Sequence, residues 1–204
     1  MKSGTAAYTA RVGTRPAVFI DRDGTLTEEV GYVNHPARLR LLPRSAEAIR
    51  RLNRAGTAAV VVTNQAGIAR GYFSGTVMHA VNAELSAQLE RAGARLDGIY
   101  VCPHHPTEGV APYRMLCDCR KPNPGLFLRA AEELGLDLTR SIMVGDKPSD
   151  LEVAPKVGAR SVLVLTGYGL GEWEYRRDQF AVTPDHVAGD LLDAVEWALK
   201  VRAA

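Results

Sequence analysis

In AVFIDRDGT, residues 17–25, four apolar residues directly precede two aspartates, Asp21 and Asp23, that are separated by a single residue. A short apolar run bounded by polar residues predicts a buried strand, which here ends at Asp21. Outward from this stretch, similar runs predict strands at 57–64, 98–102, 141–146 and 161–166, with helical patterns between them. Strands that alternate with helices predict a mainly parallel, doubly wound α/β sheet of Rossmann-like type, with helices on both faces.

The helices are predicted from their end signals. The segment 45–56 predicts a helix with Ser45 as N-cap and Gly56 just past its end. A long helix is expected over 75–92, another is opened by Asn123-Pro124, and short ones follow at 150–158 and, after a short strand, within 186–200 with Asp190 near its cap. The segments 24–44, 103–121 and 167–185 are longer than ordinary connections, which is typical of functional loops.

The composition indicates one domain. The chain has 204 residues, of which 46% are hydrophobic, enough for one sizeable core. We expect residues 1–15 to form a mobile lead-in and residues 16–204 a single domain without a large cap domain. The net charge of +2 implies no polyanionic partner and no nucleic acid. The lack of a long apolar run or signal-like start predicts a cytoplasmic protein with no membrane partner, expected to be a monomer.

Polar side chains follow the predicted strands. Asp21 and Asp23 follow the first strand, Thr63 ends the second, Asp146 ends the fourth, and Lys121 follows the long loop after the third. In open α/β sheets, ligands bind at the carboxyl ends of the strands. Carboxylates can hold Mg²⁺, while a hydroxyl and a lysine can take charge on phosphoryl oxygens. Together these residues predict phosphoryl transfer.

Other functions fit these segments less well. An Asp-x-Asp pair alone is as typical of a surface turn as of a metal site. An EF-hand is excluded because the twelfth position from Asp21 is Tyr32 and not glutamate. GYGLG at 167–171 lacks the spacing of a dinucleotide-binding loop, and no nucleotide-binding P-loop is present.

All three cysteines lie in one loop, CPHHPTEGVAPYRMLCDC, residues 102–119. Cys102, Cys117 and Cys119 with one histidine would supply four ligands to a closed structural zinc site. Either His104 or His105 could be the fourth ligand on spacing alone. A group of buried free thiols is the alternative.

These residues resemble the haloacid-dehalogenase-like phosphatases. The match is carried by Asp21 to Thr25, by Thr63, by Lys121 and by the acidic pair Asp146 and Asp150. Within this superfamily, DRDGT, GYV, TNQAGIARG, CPHHP, CDCRKP and GDK are similar to the heptose bisphosphate phosphatases, with the histidinol phosphatases as near relatives. Two departures are Ala66, where serine is frequent, and Thr27, where asparagine is frequent.

The resemblance implies a role for each matched residue. Asp21 would be the nucleophile, Asp23 the general acid and base, and Thr63 and Lys121 would stabilise the phosphoryl group. Asp150 would orient Lys121 or a metal-bound water. Magnesium would be held by side chains and backbone carbonyls of the matched motifs, namely Asp21, Asp23, Asp146 and the Lys147 backbone.

The resemblance also implies the remaining contacts. Zinc would be bound by Cys102, His104, Cys117 and Cys119, and Arg120 would hold the second phosphate of the substrate. Substrate contacts are further expected from three loops, at Glu29, Val30, Gly31, Tyr32, Asn64, Gln65, Ala66 and Lys147. For Glu29 and Val30, a solvated flap is the alternative.

The implied activity is Mg²⁺-dependent removal of the 7-phosphate of D-glycero-D-manno-heptose 1,7-bisphosphate through an aspartyl-phosphate. This reaction would belong to the nucleotide-activated heptose route for surface glycans. Alternatives are a histidinol-phosphate phosphatase, a nucleic-acid 3′-phosphatase, and a non-catalytic phospho-receiver. The receiver is disfavoured by Asp23, because a general acid serves only turnover.

Overall fold

The computed structural model describes residues 14–203. The expected lead-in over 1–15 falls outside the described residues except for its last two positions. Of these, Arg15 forms an ion pair with Asp97 at 2.9 Å. Within the described residues, no helix combines the length and apolar character that crossing a membrane requires.

The sheet has six parallel strands in the order β3-β2-β1-β4-β5-β6. The strands are β1 Ala17–Ile20, β2 Ala58–Asn64, β3 Gly98–Cys102, β4 Ile142–Gly145, β5 Arg160–Val164 and β6 His186–Ala188. The strand β1 lies at the centre, and the chain order changes direction between β1 and β4. The predicted mainly parallel sheet is confirmed, and its carboxyl edge at β1 and β4 is where such folds bind ligands.

Helices cover both faces of the sheet. They are α1 Ser45–Arg54, α2 Gly75–Arg91, α3 Gly125–Leu134, α4 Pro148–Leu151, α5 Ala154–Val157, α6 Gly169–Arg176 and α7 Leu191–Ala203, with 3₁₀ turns at Pro36–Arg38, Leu138–Arg140 and Arg177–Gln179. Because successive strand residues point to opposite faces, Val18 and Ile20 pack in the core that includes α1, α2 and α7. Phe19 packs on the other face, with its ring centroid 4.7 Å from that of Phe127.

Several local predictions differ from the structure. Ser45 is the first residue of α1 and not its N-cap; Arg44 occupies the cap position with φ +65°, and the Ser45 hydroxyl is buried with no hydrogen-bond partner in the part of the chain that the structure describes. Arg44 instead joins α1 to α7 through ion pairs with Asp190 and Asp193. The helix expected at 150–158 is two short helices, α4 and α5, and the segment 167–185 contains α6.

Other end signals are confirmed. Gly56 follows α1 with φ +66°, as predicted, and Gly93 follows α2 in the same way with φ +70°. Asp190 accepts a hydrogen bond from the Asp193 N–H at 3.0 Å, as expected for a residue that caps α7. Among the described residues, no insertion folds into a separate cap domain.

Candidate active site

A cleft of about 330 Å³ opens at the carboxyl edge of the sheet. Most of the sequence-predicted site residues line it, together with Ser149 and Tyr168, which the sequence did not indicate. Of the residues predicted for catalysis, magnesium and substrate, two do not line the cleft: Val30 is exposed, and Asp146 is fully buried. The lining residues are Asp21, Asp23, Glu29, Gly31, Tyr32, Thr63, Asn64, Gln65, Ala66, Arg120, Lys121, Lys147, Ser149, Asp150 and Tyr168.

Lys121 is the centre of the charged cluster. Its ammonium group contacts Asp21 Oδ1 at 2.7 Å, Asp150 Oδ1 at 2.7 Å and the Val62 carbonyl at 2.8 Å. These three acceptors use all the donors that an ammonium group has. Burial lowers the pKa of Lys121, but the carboxylates of Asp150 and Asp21 outweigh burial, so its pKa lies above the ordinary value. Lys121 is therefore a fixed cation at the floor of the cleft.

Asp21, Asp146 and Asp150 each place a carboxylate oxygen within 4.8 Å of the others. Burial, followed by the charge of Asp21, raises the pKa of Asp146 to about 8. Burial also raises the pKa of Asp21, despite the neighbouring Lys121. Asp146 Oδ1 is buried and has no hydrogen-bond partner among the described residues. The three carboxylates supply oxygen ligands, their negative charge is only partly compensated, and one oxygen lacks a hydrogen-bond partner among the described residues. These properties fit a hard divalent cation such as Mg²⁺.

The turn after β1 depends on a close approach of backbone to Asp146. Gly24 has φ +87°, and a Cβ atom there would lie 2.2 Å from Asp146 Oδ2. The same oxygen accepts a hydrogen bond from the Tyr168 N–H at 2.9 Å. The segment GYGLG, which has no nucleotide-binding spacing, therefore supports the carboxylate cluster through its backbone.

Asp23 is held by a neighbour that the sequence did not single out. The Arg22 guanidinium donates to both Asp23 oxygens, from Nε at 3.0 Å and from Nη2 at 2.8 Å. Gln65 Nε2 donates to Asp23 Oδ2 at 2.7 Å and to Thr63 Oγ1 at 2.9 Å. The Gln65 amide thus links the expected acid–base group to the expected phosphoryl-binding hydroxyl.

Asn64 also points to a protein partner. Its side-chain amide exchanges two hydrogen bonds of 3.1 Å with the backbone N–H and carbonyl of Lys121. This reciprocal pair attaches the end of β2 to the residue that follows the cysteine loop. Asn64 lines the cleft, but its polar atoms position Lys121.

One wall of the cleft is formed by the segment 28–33 and the start of α6. Lys147 Nζ contacts Glu29 Oε2 at 3.1 Å and lies 4.5 Å from the centre of the Tyr168 ring. Burial lowers the pKa of Lys147, but the charges of Asp146 and other acidic neighbours raise it by a larger amount. The pKa of Lys147 therefore lies above its ordinary value. A second Glu29 oxygen accepts from the Gly31 N–H at 2.7 Å. These contacts leave Lys147 charged at the mouth of the cleft.

The cysteine loop closes on itself. The distances are 3.8 Å from Cys102 Sγ to His104 Nδ1, 3.7 Å from Cys102 to Cys117, 3.4 Å from Cys117 to Cys119, and 3.2 Å from His104 Nδ1 to Cys119. A tetrahedral zinc site with Zn–S bonds of about 2.3 Å has edges of about 3.8 Å, so the four groups could hold such an ion. His105 lies outside this group, with its Nδ1 accepting from the Glu108 N–H at 2.9 Å.

The cysteine cluster is joined to the cleft through Arg120. The Arg120 guanidinium donates to the His104 carbonyl at 3.1 Å, and Arg120 lines the cleft beside Lys121. Contacts from the thiols of Cys102 and Cys117 lower the pKa of Cys119 to about 5. Cys119, next to Arg120 in the chain, is therefore the thiol most readily present as the thiolate that metal ligation requires, whereas the pKa values of Cys102 and Cys117 are raised.

Comparison with known proteins places this site in a family. A family model described as HAD-hydrolase-like matches residues 118–194. The chain is 46% identical over 189 residues to D-glycero-D-manno-heptose-1,7-bisphosphate 7-phosphatase of Thermosynechococcus vestitus, covering 90% of this chain and 95% of that protein. It is 45% identical to D-glycero-beta-D-manno-heptose-1,7-bisphosphate 7-phosphatase of Escherichia coli K12, covering 74% and 80%.

A solved structure is similar over nearly the whole chain. The crystal structure of D,D-heptose 1,7-bisphosphate phosphatase from B. bronchiseptica, complexed with magnesium and phosphate, superposes with a TM-score of 0.79. The two sequences are 32% identical, and the match covers 91% of this chain and 99% of that one.

Proposed function

The chain belongs to the heptose bisphosphate phosphatase family of haloacid-dehalogenase-like hydrolases, and on that premise we propose that it removes the 7-phosphate from D-glycero-D-manno-heptose 1,7-bisphosphate. A phosphoric monoester hydrolase is what the family and the fold support. The observation that carries the proposal is the contact between Asp21 and Lys121, whose charged atoms lie 2.7 Å apart at the floor of the cleft. A nucleophile and a cation around one position suit attack on a phosphoryl group.

In the first step, one Asp21 oxygen attacks phosphorus and the bond from phosphorus to the sugar oxygen breaks. The bonding electron pair leaves with the sugar oxygen, which takes a proton from the Asp23 carboxyl group. The Thr63 hydroxyl and the Lys121 ammonium balance the charge on the phosphoryl oxygens. The product of this step is an aspartyl-phosphate on Asp21 and the free sugar alcohol.

In the second step, a water molecule attacks the same phosphorus atom. Its proton passes to the Asp23 carboxylate, and the bond from phosphorus to Asp21 breaks. Asp21 returns to a free carboxylate, Asp23 regains its proton, and inorganic phosphate leaves. The ion pair of Asp150 with Lys121 keeps the ammonium group in place through both steps.

Phosphatases of this family use Mg²⁺. We assign its binding to the Asp21 and Asp146 side chains and to the backbone carbonyls of Asp23 and Lys147. When bound, the ion neutralises the phosphoryl oxygens and the attacking carboxylate, which otherwise repel each other. The raised pKa of Asp146 fits this assignment, because the described side chains alone leave its charge under-compensated.

Zinc at Cys102, His104, Cys117 and Cys119 is proposed as structural. The cysteine loop exposes Val110 and Leu116 and so gains little from burial of apolar side chains. A four-ligand metal site can supply about 10–16 kcal/mol of apparent binding free energy. We assign to the ordered loop the task of holding Arg120 where it can bind the second phosphate of the substrate through a charge-assisted fork.

The remaining assignments follow from this substrate. A phosphorylated sugar is the expected partner, and we propose a monomeric protein in the cytoplasm. Thiolate zinc ligands fit a reducing compartment, where disulfides are rare. The walls at Glu29, Gly31 and Tyr32 line the space that we assign to the sugar.

The test is phosphate release from both anomers of D-glycero-D-manno-heptose 1,7-bisphosphate, from histidinol phosphate and from a 3′-phosphorylated oligonucleotide, with Mg²⁺ present. We expect kcat/KM to be highest for one heptose bisphosphate. A higher value for histidinol phosphate would move the chain to the near-relative function. Absence of release from all four compounds would contradict a phosphatase of this kind.

A further inference from the structure

Arg22 is among the largest fully buried side chains of the protein, with 1% of its surface exposed. A buried guanidinium is costly unless each part of it is paired. Arg22 meets this condition with the fork to Asp23 and with Nη1, which donates to Asn82 Oδ1 at 3.0 Å. Asn82 belongs to α2 and is itself nearly buried, so Arg22 is fixed between the turn after β1 and a helix of the core.

The Asp23 carboxylate accepts from three close donors. Arg22 supplies two of them, and Gln65 Nε2 supplies the third, to Oδ2 at 2.7 Å. The Thr27 hydroxyl lies 3.4 Å from Oδ1, but its single proton has a nearer acceptor in the Arg22 carbonyl at 3.1 Å. Of the three donors, Gln65 lines the cleft whereas Arg22 does not.

We propose that Arg22, braced by Asn82, is a positioning residue that fixes the plane of the Asp23 carboxylate and turns Oδ2 toward the leaving-group oxygen. The inference rests on the proposed role of Asp23. The fork lies away from the cleft, so it can persist while the contact from Gln65 is exchanged for one with the substrate. Oδ2 is then the atom that gives its proton to the sugar oxygen and later receives one from water.

A purely structural role for Arg22 makes a different prediction. If the guanidinium only filled the core, its loss would disturb the whole site and slow every substrate alike. If it aims Asp23, the loss depends on the leaving group. A sugar alkoxide needs a proton as it departs, whereas p-nitrophenolate is stable enough to depart without one.

The experiment compares Arg22→Lys with wild type by rapid quench with substrate in excess over enzyme, which resolves the first turnover from later ones, and by steady-state kinetics for KM. For the sugar phosphate, we expect release of the sugar to slow about 100-fold, the lower end of what a general acid contributes, with an unchanged KM. For p-nitrophenyl phosphate, we expect the first release to stay within about threefold of wild type, since that step needs no proton donor. Hydrolysis of the aspartyl-phosphate uses Asp23 for both substrates, so p-nitrophenolate should be released in a burst of one equivalent.

Two further variants keep the test decisive. Asn82→Ala retains Arg22 but removes the hydrogen bond that braces it. We expect it to slow release of the sugar about 10-fold and to leave release of p-nitrophenolate nearly unchanged. If thermal unfolding shows that Arg22→Lys is not folded, Asn82→Ala alone provides the test. Arg91→Lys, on the exposed face of α2, is the matched control and should match wild type for both substrates.

The outcomes separate this inference from the proposed function. Wild-type protein that releases neither leaving group contradicts the function. Active wild-type protein, with variants that slow sugar and p-nitrophenolate release by the same factor or not at all, overturns the positioning role alone. A sugar-selective loss supports both.

Discussion

Replacing Lys121 with methionine would remove the cation that two buried carboxylates share. Lys121 is 3% exposed and contacts Asp21 and Asp150 at 2.7 Å each. Removal of one partner from a buried ion pair costs about 3–5 kcal/mol, because the other charge stays buried without compensation. For a domain of this size, each kcal/mol lowers Tm by about 2–4 °C, so a fall of about 6–20 °C is expected.

The assay is urea unfolding in magnesium-free buffer, followed by tryptophan fluorescence, for Lys121→Met, Asp150→Leu and the double variant. The double variant removes one charge of each sign, so the cluster keeps the formal charge of the wild type. We expect it to be about 1–3 kcal/mol more stable than the sum of the single effects predicts. Lys156→Met is the matched control, because Lys156 is exposed, and should change stability by at most about 0.5 kcal/mol.

Activity should not follow stability in this cycle. The double variant still lacks the ammonium that we assign to the phosphoryl oxygens, so kcat should stay about 10²–10³-fold below wild type. A coupling energy below about 0.5 kcal/mol would refute the shared-cation reasoning. Recovery of kcat in the double variant would refute the role of Lys121 in catalysis.

Three further predictions concern the nucleophile, the cysteine loop and pH. Asp21→Asn should abolish turnover while the protein stays folded, and near-normal phosphate release in that variant would contradict the covalent step. Cys117→Ser should lose zinc, measured by metal analysis, and raise KM more than it lowers kcat because Arg120 is no longer held; full retention of zinc would count against the ligand set. Asp146 has a pKa of about 8 against an ordinary 3.8, so the folded state binds more protons and stability in magnesium-free buffer should fall as pH rises from about 4 to 8. Asp146→Asn should flatten that slope, and a stability that rises with pH would show the shift to have the opposite sign.

The sheet was predictable because its strands are buried on both faces. Runs such as AVFI and AAVVV have no polar residue that could face water, so a central strand is the simplest way to bury them. The helix α6 was not predictable in the same way. Its sequence, GLGEWEYR, contains two glycines, which lower helix propensity, and only Gly169 in it is buried. The prediction of Ser45 as the cap of α1 was wrong, since Arg44 takes the cap position and forms ion pairs with Asp190 and Asp193, which are distant in sequence.

The positions of the site residues could be predicted more readily than the directions of their side chains. Parallel strands bring their carboxyl ends to one edge, so a pattern of polar residues after strands is sufficient to gather Asp21, Thr63 and Asp146. Whether a side chain then faces substrate or protein depends on partners that are distant in sequence. The Asn64 side chain forms hydrogen bonds with the backbone of Lys121, and the Gln65 side chain donates one to Asp23, although both residues were expected to contact substrate.

Arg22 shows why such partners escape a reading of the sequence. It stands between two motif aspartates, where the pattern allows any residue, and its surroundings come from α2, 60 residues further along. A guanidinium can be buried only if the fold supplies hydrogen-bond acceptors on several of its sides, and here Asn82 and Asp23 supply them. Since the same bonds that make Arg22 tolerable in the core also set the plane of Asp23, its structural and functional roles cannot be separated by stability measurements. Only the dependence of the rate on the leaving group distinguishes a group that aims a proton from one that fills space.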